Sequence, residues 1–164
     1  MIIPKAKKEI YYGESLLLPN NLVVRTENED EQKAFAVLEM FLSQTKFSLG
    51  EKANIVFNKT HFERAEEYAL TIGDCIKVEY GDFLGARNAM ATLAQIISKK
   101  EDGYSVPKCK IEDYPDSKVR SFLLDISTLG IGRKEEIDEL IIRLAMLKYN
   151  CIHFHLTEGS GIAW

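Results

Sequence analysis

Two histidines two residues apart, His153 and His155, and an acid three residues further on, Glu158, stand in the segment NCIHFHLTEGSGIAW. Residues i and i+2 of a β-strand point to one face, so both imidazoles share a side and the carboxylate lies beyond the strand end. Such a trio could build a two-His-one-carboxylate metal site. Arg120 and Asp125 bracket the apolar part of VRSFLLDIS. A guanidinium presents several N–H donors in a fixed planar fork, which suits a hydroxyl-rich ligand as well as a carboxylate. Arg120 is therefore read either as a ligand-gripping residue or as an ion-pair partner of Asp116 or Asp125. Asp125, at a strand's C-terminal end, supports a neighbouring group or caps the next loop. The adjacent Asp-Glu pairs that could divide acid and base work, Asp30-Glu31 and Asp138-Glu139, both fall in helix-patterned segments.

The elements that must position these residues follow from periodicity. VRSFLLDIS is almost continuously apolar, as in a strand covered on both faces. RKEEIDELIIRLAMLKYN then brings Ile137, Leu140, Ile141, Leu144 and Leu147 to one helical face. Glu135 and Glu136 lie in its first turn and Lys148 in its last, as the macrodipole favours. CIHFHLT is a second apolar strand. Strand, helix, strand predicts a βαβ unit with two adjacent parallel strands. A two-stranded parallel sheet with one helix cannot cover its own faces. Val119, Phe122, Leu124, Ile126, Ile152, Phe154 and Leu156 are expected to stay partly exposed. The unit is expected to be the front end of a longer fold, with self-association through its bare strands.

Upstream, EIYYGESLLLPNNLVV predicts short strands broken at Gly13 and at Pro19-Asn20-Asn21. ENEDEQKAFAVLEMFLSQT predicts a helix with Ala34, Val37, Leu38, Phe41 and Leu42 inward and its acids near the start. ANIVFN reads as a strand, and EYALTIGDCIKVEYG as a hairpin turning at Gly73-Asp74. Asp82 caps FLGARNAMATLAQIISKK, whose sole ionisable residue between Phe83 and Ile97 is Arg87, so this helix should be largely buried. The prediction is an α+β domain, a sheet covered by two helices, complete by about Lys100. A polar turn, KKEDGYSVP, a return strand in KCKIED and a boundary near Tyr114-Pro115 follow, giving segments 1–114 and 115–164. Tyr11, Tyr12 and Phe83 are expected in the core, and His61 on the surface. Cys75, Cys109 and Cys151 are expected as reduced, mostly buried thiols, since their spacing suits neither a zinc knuckle nor a disulfide framework.

Composition narrows the function classes. The 164 residues are 46% hydrophobic and 28% charged, as in a globular protein. Twenty-one basic and 25 acidic residues are interspersed, with no basic stripe for nucleic acid. No apolar stretch approaches the roughly 20 residues that span a bilayer, and MIIPKAKKEI has no apolar core or cleavage site of a secretory leader. The sequence as written reads as cytoplasmic, with neither nucleic acid nor membrane as partner.

The motifs, in order, carry a resemblance. YPDSKVRSFLLDIS with KEEIDELIIRLAMLKYNCIHFHLTEGSG resembles the opening of the catalytic barrel in β-N-acetylhexosaminidases, glycoside hydrolase family 20. There a first strand reads Arg-Gly or Arg-Ser, apolar residues, Asp-Val-Ser. A helix follows, ending in Lys-hydrophobic-Asn, and the second strand reads His-Trp-His-Leu-Thr-Asp-Asp. EEYALTIGDCIKVEYGDFLGARNAMATLAQII with VPKCKIEDYP is similar to that family's N-terminal α+β domain. The departures are Phe154 for the tryptophan, Glu158-Gly159 for the acidic pair, and GIAW for Gly-Trp-Arg.

The resemblance implies an N-terminal α+β domain followed by the first βαβ of a (β/α)8 TIM barrel, truncated. It implies an enzyme that releases terminal β-linked N-acetylhexosamine with retention, without metal or cofactor. In that family the substrate's acetamido oxygen attacks the anomeric carbon, an Asp orients it, and the adjacent Glu protonates the leaving oxygen. That pair ends the fourth barrel strand, so this chain is expected to lack it and to be inactive alone. Carried over are Arg120 and Glu158 as sugar-binding residues, with Asp125, His153 and His155 in support. The implied partner is an N-acetylhexosamine-containing glycan, met through the full-length parent. Members of the family are often secreted or held at the cell surface. The alternative from another class is a non-catalytic carbohydrate-binding or interaction module using the N-terminal sheet.

Overall fold

The computed structural model describes residues 2–42, 46–50, 52–125 and 133–155. The chain divides into two compact units, one ending at Asp116 and the other beginning at Ser117.

The first unit is a mixed sheet with two helices. Its elements are β1 (Lys8–Pro19), β2 (Asn21–Arg25), α1 (Glu29–Phe41), β3 (Lys46–Leu49), β4 (Ile55–Lys59), β5 (Tyr68–Ile72), β6 (Ile76–Tyr80), α2 (Phe83–Ile96), β7 (Ser98–Lys100) and β8 (Gly103–Asp113). The strand order is β1-β8-β5-β6-β4-β2-β3, with β7 also paired to β8. β5 and β6 form the antiparallel hairpin expected from their alternation, Leu70 opposite Val78. β2 runs parallel to β3, which follows it through α1, and β4 runs parallel to both β2 and β6. Leu70, Ile72, Ile76 and Val78 are fully buried under α1 and α2, together with Ala34, Leu38, Ala89, Met90 and Leu93. Lys77, Glu79, Lys110 and Glu112 alternate onto the other face of the sheet, where Lys110 pairs with Glu112 at 2.6 Å.

Three expectations change. β1 is one long strand rather than two short ones: its ladder to β8 shifts register between Tyr11 and Ser15, with Gly13 at φ +81°. A glycine there turns a strand break into a bulge, since it adopts positive φ without strain. The unit is also not complete at Lys100, because β8 lies between β1 and β5 and joins them into one sheet. Pro107, which suggested a turn, sits opposite the β1 bulge and beyond the residues that pair with β5, so its missing N–H breaks no ladder there. Finally, α1 presents Glu31, Ala34, Phe35 and Leu38 inward, a stripe rotated from the expected one; Val37 and Leu42 pack only at its margin.

Glu31 explains that rotation. Its carboxylate is 1% exposed and accepts from the Tyr80 hydroxyl at 2.5 Å and from the Glu27 N–H at 2.5 Å. Asn28 caps the helix by accepting from the Glu31 N–H at 3.0 Å and donates to the Tyr80 hydroxyl at 3.2 Å. A buried acid with this many donors belongs inside. Burial first, with the Glu31 carboxylate beside it, pushes the Tyr80 phenol up to about 12. Tyr11 is also raised to about 12, and Tyr68 lies well above its ordinary value through burial and the Asp113 charge. These phenols hold their protons in the fold and lose them near 10 when unfolded, so stability present below pH 10 is lost as pH rises from 10 toward 12. Circular dichroism across that range should show alkaline unfolding, and Tyr80→Phe should flatten the slope.

The second unit contains β9 (Ser121–Asp125), α3 (Lys134–Met146) and β10 (Cys151–His155). β9 and β10 pair in parallel, with His153 opposite Leu123 and His155 opposite Asp125.

Candidate functional site

The side chains singled out in the sequence converge on β9 and β10. Opposed residues of a parallel pair share a face, so Leu123, Asp125, His153 and His155 lie on one side and Phe122, Leu124, Ile152 and Phe154 on the other. The Phe122 ring meets Tyr149, at the α3 exit, edge-on at 6.4 Å. Asp125 and His155 are half-buried at the C-terminal ends of their strands, and His153 is exposed. Neither face is fully covered: Leu123 is 57% exposed and Phe154 43%. Val119 is exposed, and Phe122, Leu124 and Ile152 are half-buried, partly exposed as expected. Glu158 lies outside the described residues, as do Ile126 and Leu156. Among the described residues no group of three or more His, Cys, Asp and Glu is arranged to hold a metal ion.

Arg120 lies immediately ahead of β9, at the end opposite Asp125. Its Nε donates to the Lys148 carbonyl at 2.7 Å and one terminal nitrogen donates to the Ser117 carbonyl at 2.7 Å. Asn150 completes the junction: its Oδ1 accepts the Arg120 N–H at 2.9 Å, and its amide donates to the Lys118 carbonyl at 2.9 Å. Lys148 turns the chain out of α3 at φ +62°. This arrangement ties the α3–β10 turn to the start of β9. The sequence offered Asn150 only as part of a Lys-hydrophobic-Asn pattern; two backbone partners from one side chain became visible only in three dimensions.

The remaining candidates separate cleanly. Asp138 pairs with Lys134, and Glu139 with Arg143 at 2.6 Å, on the exposed side of α3. Asp30-Glu31 belongs to the α1 cap. His61 is exposed, as expected. Tyr11 and Tyr12 are 48% and 56% exposed, not core residues, because β1 is an edge strand; Phe83 packs against the core. Of the cysteines only Cys109 is buried, and burial pushes its thiol up to about 11; Cys75 is half-buried and Cys151 exposed. A cavity of about 230 Å³ lies in the first unit, lined by Thr26, Gln32, Phe35, Glu39, Ser48 and Leu49. Among the described residues its lining holds one carboxylate, Glu39, and no second acid to pair with it. Among the described residues no helix is long and apolar enough to cross a membrane.

Comparison with known proteins adds what this geometry lacks. A family model described as glycosyl hydrolase family 20, domain 2, matches residues 1–114. The chain belongs to glycoside hydrolase family 20. Within it, a β-hexosaminidase of Vibrio furnissii is 35% identical over 86 residues, covering 52% of this chain and 14% of that protein. The mouse β-hexosaminidase subunit alpha is 31% identical over 107 residues, covering 63% and 20%. A family 20 exo-β-N-acetylglucosaminidase from Vibrio harveyi is 26% identical, covering 96% of this chain and 25% of its own. Its TM-score is 0.90 as an inactive mutant and 0.87 in complex with N-acetylglucosamine. The chain thus spans 14% to 20% of these two curated relatives' length. Its first unit, a mixed sheet with two helices, is the N-terminal family 20 domain.

Proposed function

We propose that this chain is the N-terminal α+β domain, residues 1–114, and the first strand–helix–strand, residues 115–164, of a (β/α)8 catalytic barrel. The parent enzyme would remove terminal β-linked N-acetylhexosamine by substrate-assisted retaining hydrolysis. The observation that carries this reading is the in-register parallel pairing of β9 and β10 around α3, with neither strand face fully covered, directly after a family 20 domain. A parallel pair of this kind needs further strands to bury Leu123 and Phe154. The likeness to the Vibrio harveyi enzyme covers 96% of the chain and so reaches well past Pro115, which supports the same reading.

In a barrel the chemistry is built at the C-terminal strand ends. Asp125 and His155 hold that position here and would support the sugar site, with His153 behind them. No adjacent carboxylate pair stands at a strand end among the described residues, so the segment supplies scaffold and part of a binding surface, not the acid. The test is hydrolysis of a chromogenic N-acetylglucosaminide. The longer protein carrying this sequence should turn it over, and the 164-residue chain should not. Turnover by the segment that survives purification and disappears in Arg120→Ala would overturn the assignment.

A further inference from the structure

Three stretches far apart in sequence meet where β8 leaves the first unit. Lys7, ahead of β1, reaches both sides of the exit: its backbone N–H donates to Asp113 at 3.3 Å, and its ammonium bonds Asp116 at 2.5 Å. Between those acids, the Tyr114 ring lies under the Arg64 guanidinium, 4.0 Å from its centroid, with the Lys7 ammonium at 5.2 Å. Pro115 fixes one of the few torsions left in this stretch. Asp113 is itself buried and accepts from the Tyr68 hydroxyl at 3.2 Å, so the inner end of the exit is rooted in the core. The arm bearing Lys7 is anchored as well: Ile2 is 2% exposed, and Ile3 exchanges two hydrogen bonds with Gln95 of α2, at 2.8 and 2.9 Å.

We propose that the N-terminal arm is a strap that latches the exit segment Tyr114–Asp116, so that Lys7 and Arg64 set how freely the chain moves as it leaves the domain. An unlatched exit would hinge at Asp113, the last residue held by the sheet. The latch is made of one ion pair and two cation–π contacts near the surface, and both kinds weaken in salt. It is therefore a small, tunable restraint rather than part of the core, which makes it suited to regulation by charge. Neutralising Lys7 would loosen the exit without unfolding the sheet.

Amide exchange measured by NMR on the 164-residue chain tests this. In Lys7→Gln the amides of Tyr114 and Asp116 should exchange about threefold faster, and in Lys7→Gln/Arg64→Gln about tenfold faster, while β5 and β6 amides are unchanged. Asp116→Asn, at a side chain 84% exposed, cannot disturb the core and should reproduce the Lys7→Gln effect. Raising salt from 0.05 to about 1 M should speed exchange in the wild type and leave the double variant unmoved. Unchanged exit exchange in both Asp116→Asn and the double variant would overturn the latch. So would acceleration matched by the sheet amides, which would report general destabilisation instead.

Discussion

Gly85→Ala is expected to destabilise the first unit by about 3 kcal/mol, read as a lower urea midpoint with an unchanged slope. A Cβ at this position would lie 2.7 Å from the Glu67 carbonyl oxygen and 3.3 Å from the Glu66 carbonyl carbon. Those atoms are backbone, and they cannot swing aside as a side-chain tip would. The approach is close because Asp82 holds both partners: one carboxylate oxygen caps α2 through the Gly85 N–H at 2.8 Å, and the other accepts the Glu66 N–H at 2.8 Å. Glu66 sits at φ +61° and its carboxylate accepts from buried Asn88 at 3.0 Å. Moving the strand approach outward to admit a methyl would therefore strain the cap, the turn and the Asn88 contact together. A loss below about 1 kcal/mol would show that the segment relaxes freely and that this packing is looser than the geometry implies.

Arg120→Ala is expected to destabilise the second unit by about 2 kcal/mol, from two charged hydrogen bonds discounted for partial exposure. The signature is faster amide exchange in β9 and β10 with the first unit unaffected. Arg120→Lys should rescue little, since an ammonium cannot reproduce the divergent pair of donors that reach Lys148 and Ser117. The same variant separates the two roles open to this residue. If Arg120 serves the junction, the longer enzyme should lose stability and turnover together while KM for an N-acetylglucosaminide holds steady. If it grips the sugar, KM should rise with β9 and β10 exchange unchanged. Its position at the N-terminal end of β9, away from the strand ends where barrel sites form, favours the junction.

The sequence by itself determined the local elements and their order. Alternation in EYALTIGDCIKVEYG specified the hairpin because one face of that sheet is buried, and Asp82 with a charge-poor run specified a capped, buried α2. Strand, helix and strand after Pro115 specified the parallel β9–β10 pair, since an intervening helix leaves no other simple pairing. The motifs also carried the family. What only tertiary structure decided was which residues meet at long range. No periodicity could show that β8 inserts between β1 and β5, or that Pro107 falls opposite a bulge. Nor could it show Glu31 turning inward, because a hydrophobic pattern scores an acid as exposed until Tyr80, forty-nine residues away, supplies a donor. Arg120 is the same case at the candidate site: its type allowed a ligand grip or an ion pair, and the backbone bonds it makes are set by where Lys148 and Ser117 come to rest. Helix and strand signals are short-range and additive along the chain, whereas a hydrogen-bonded junction exists only once distant backbone groups have been packed side by side.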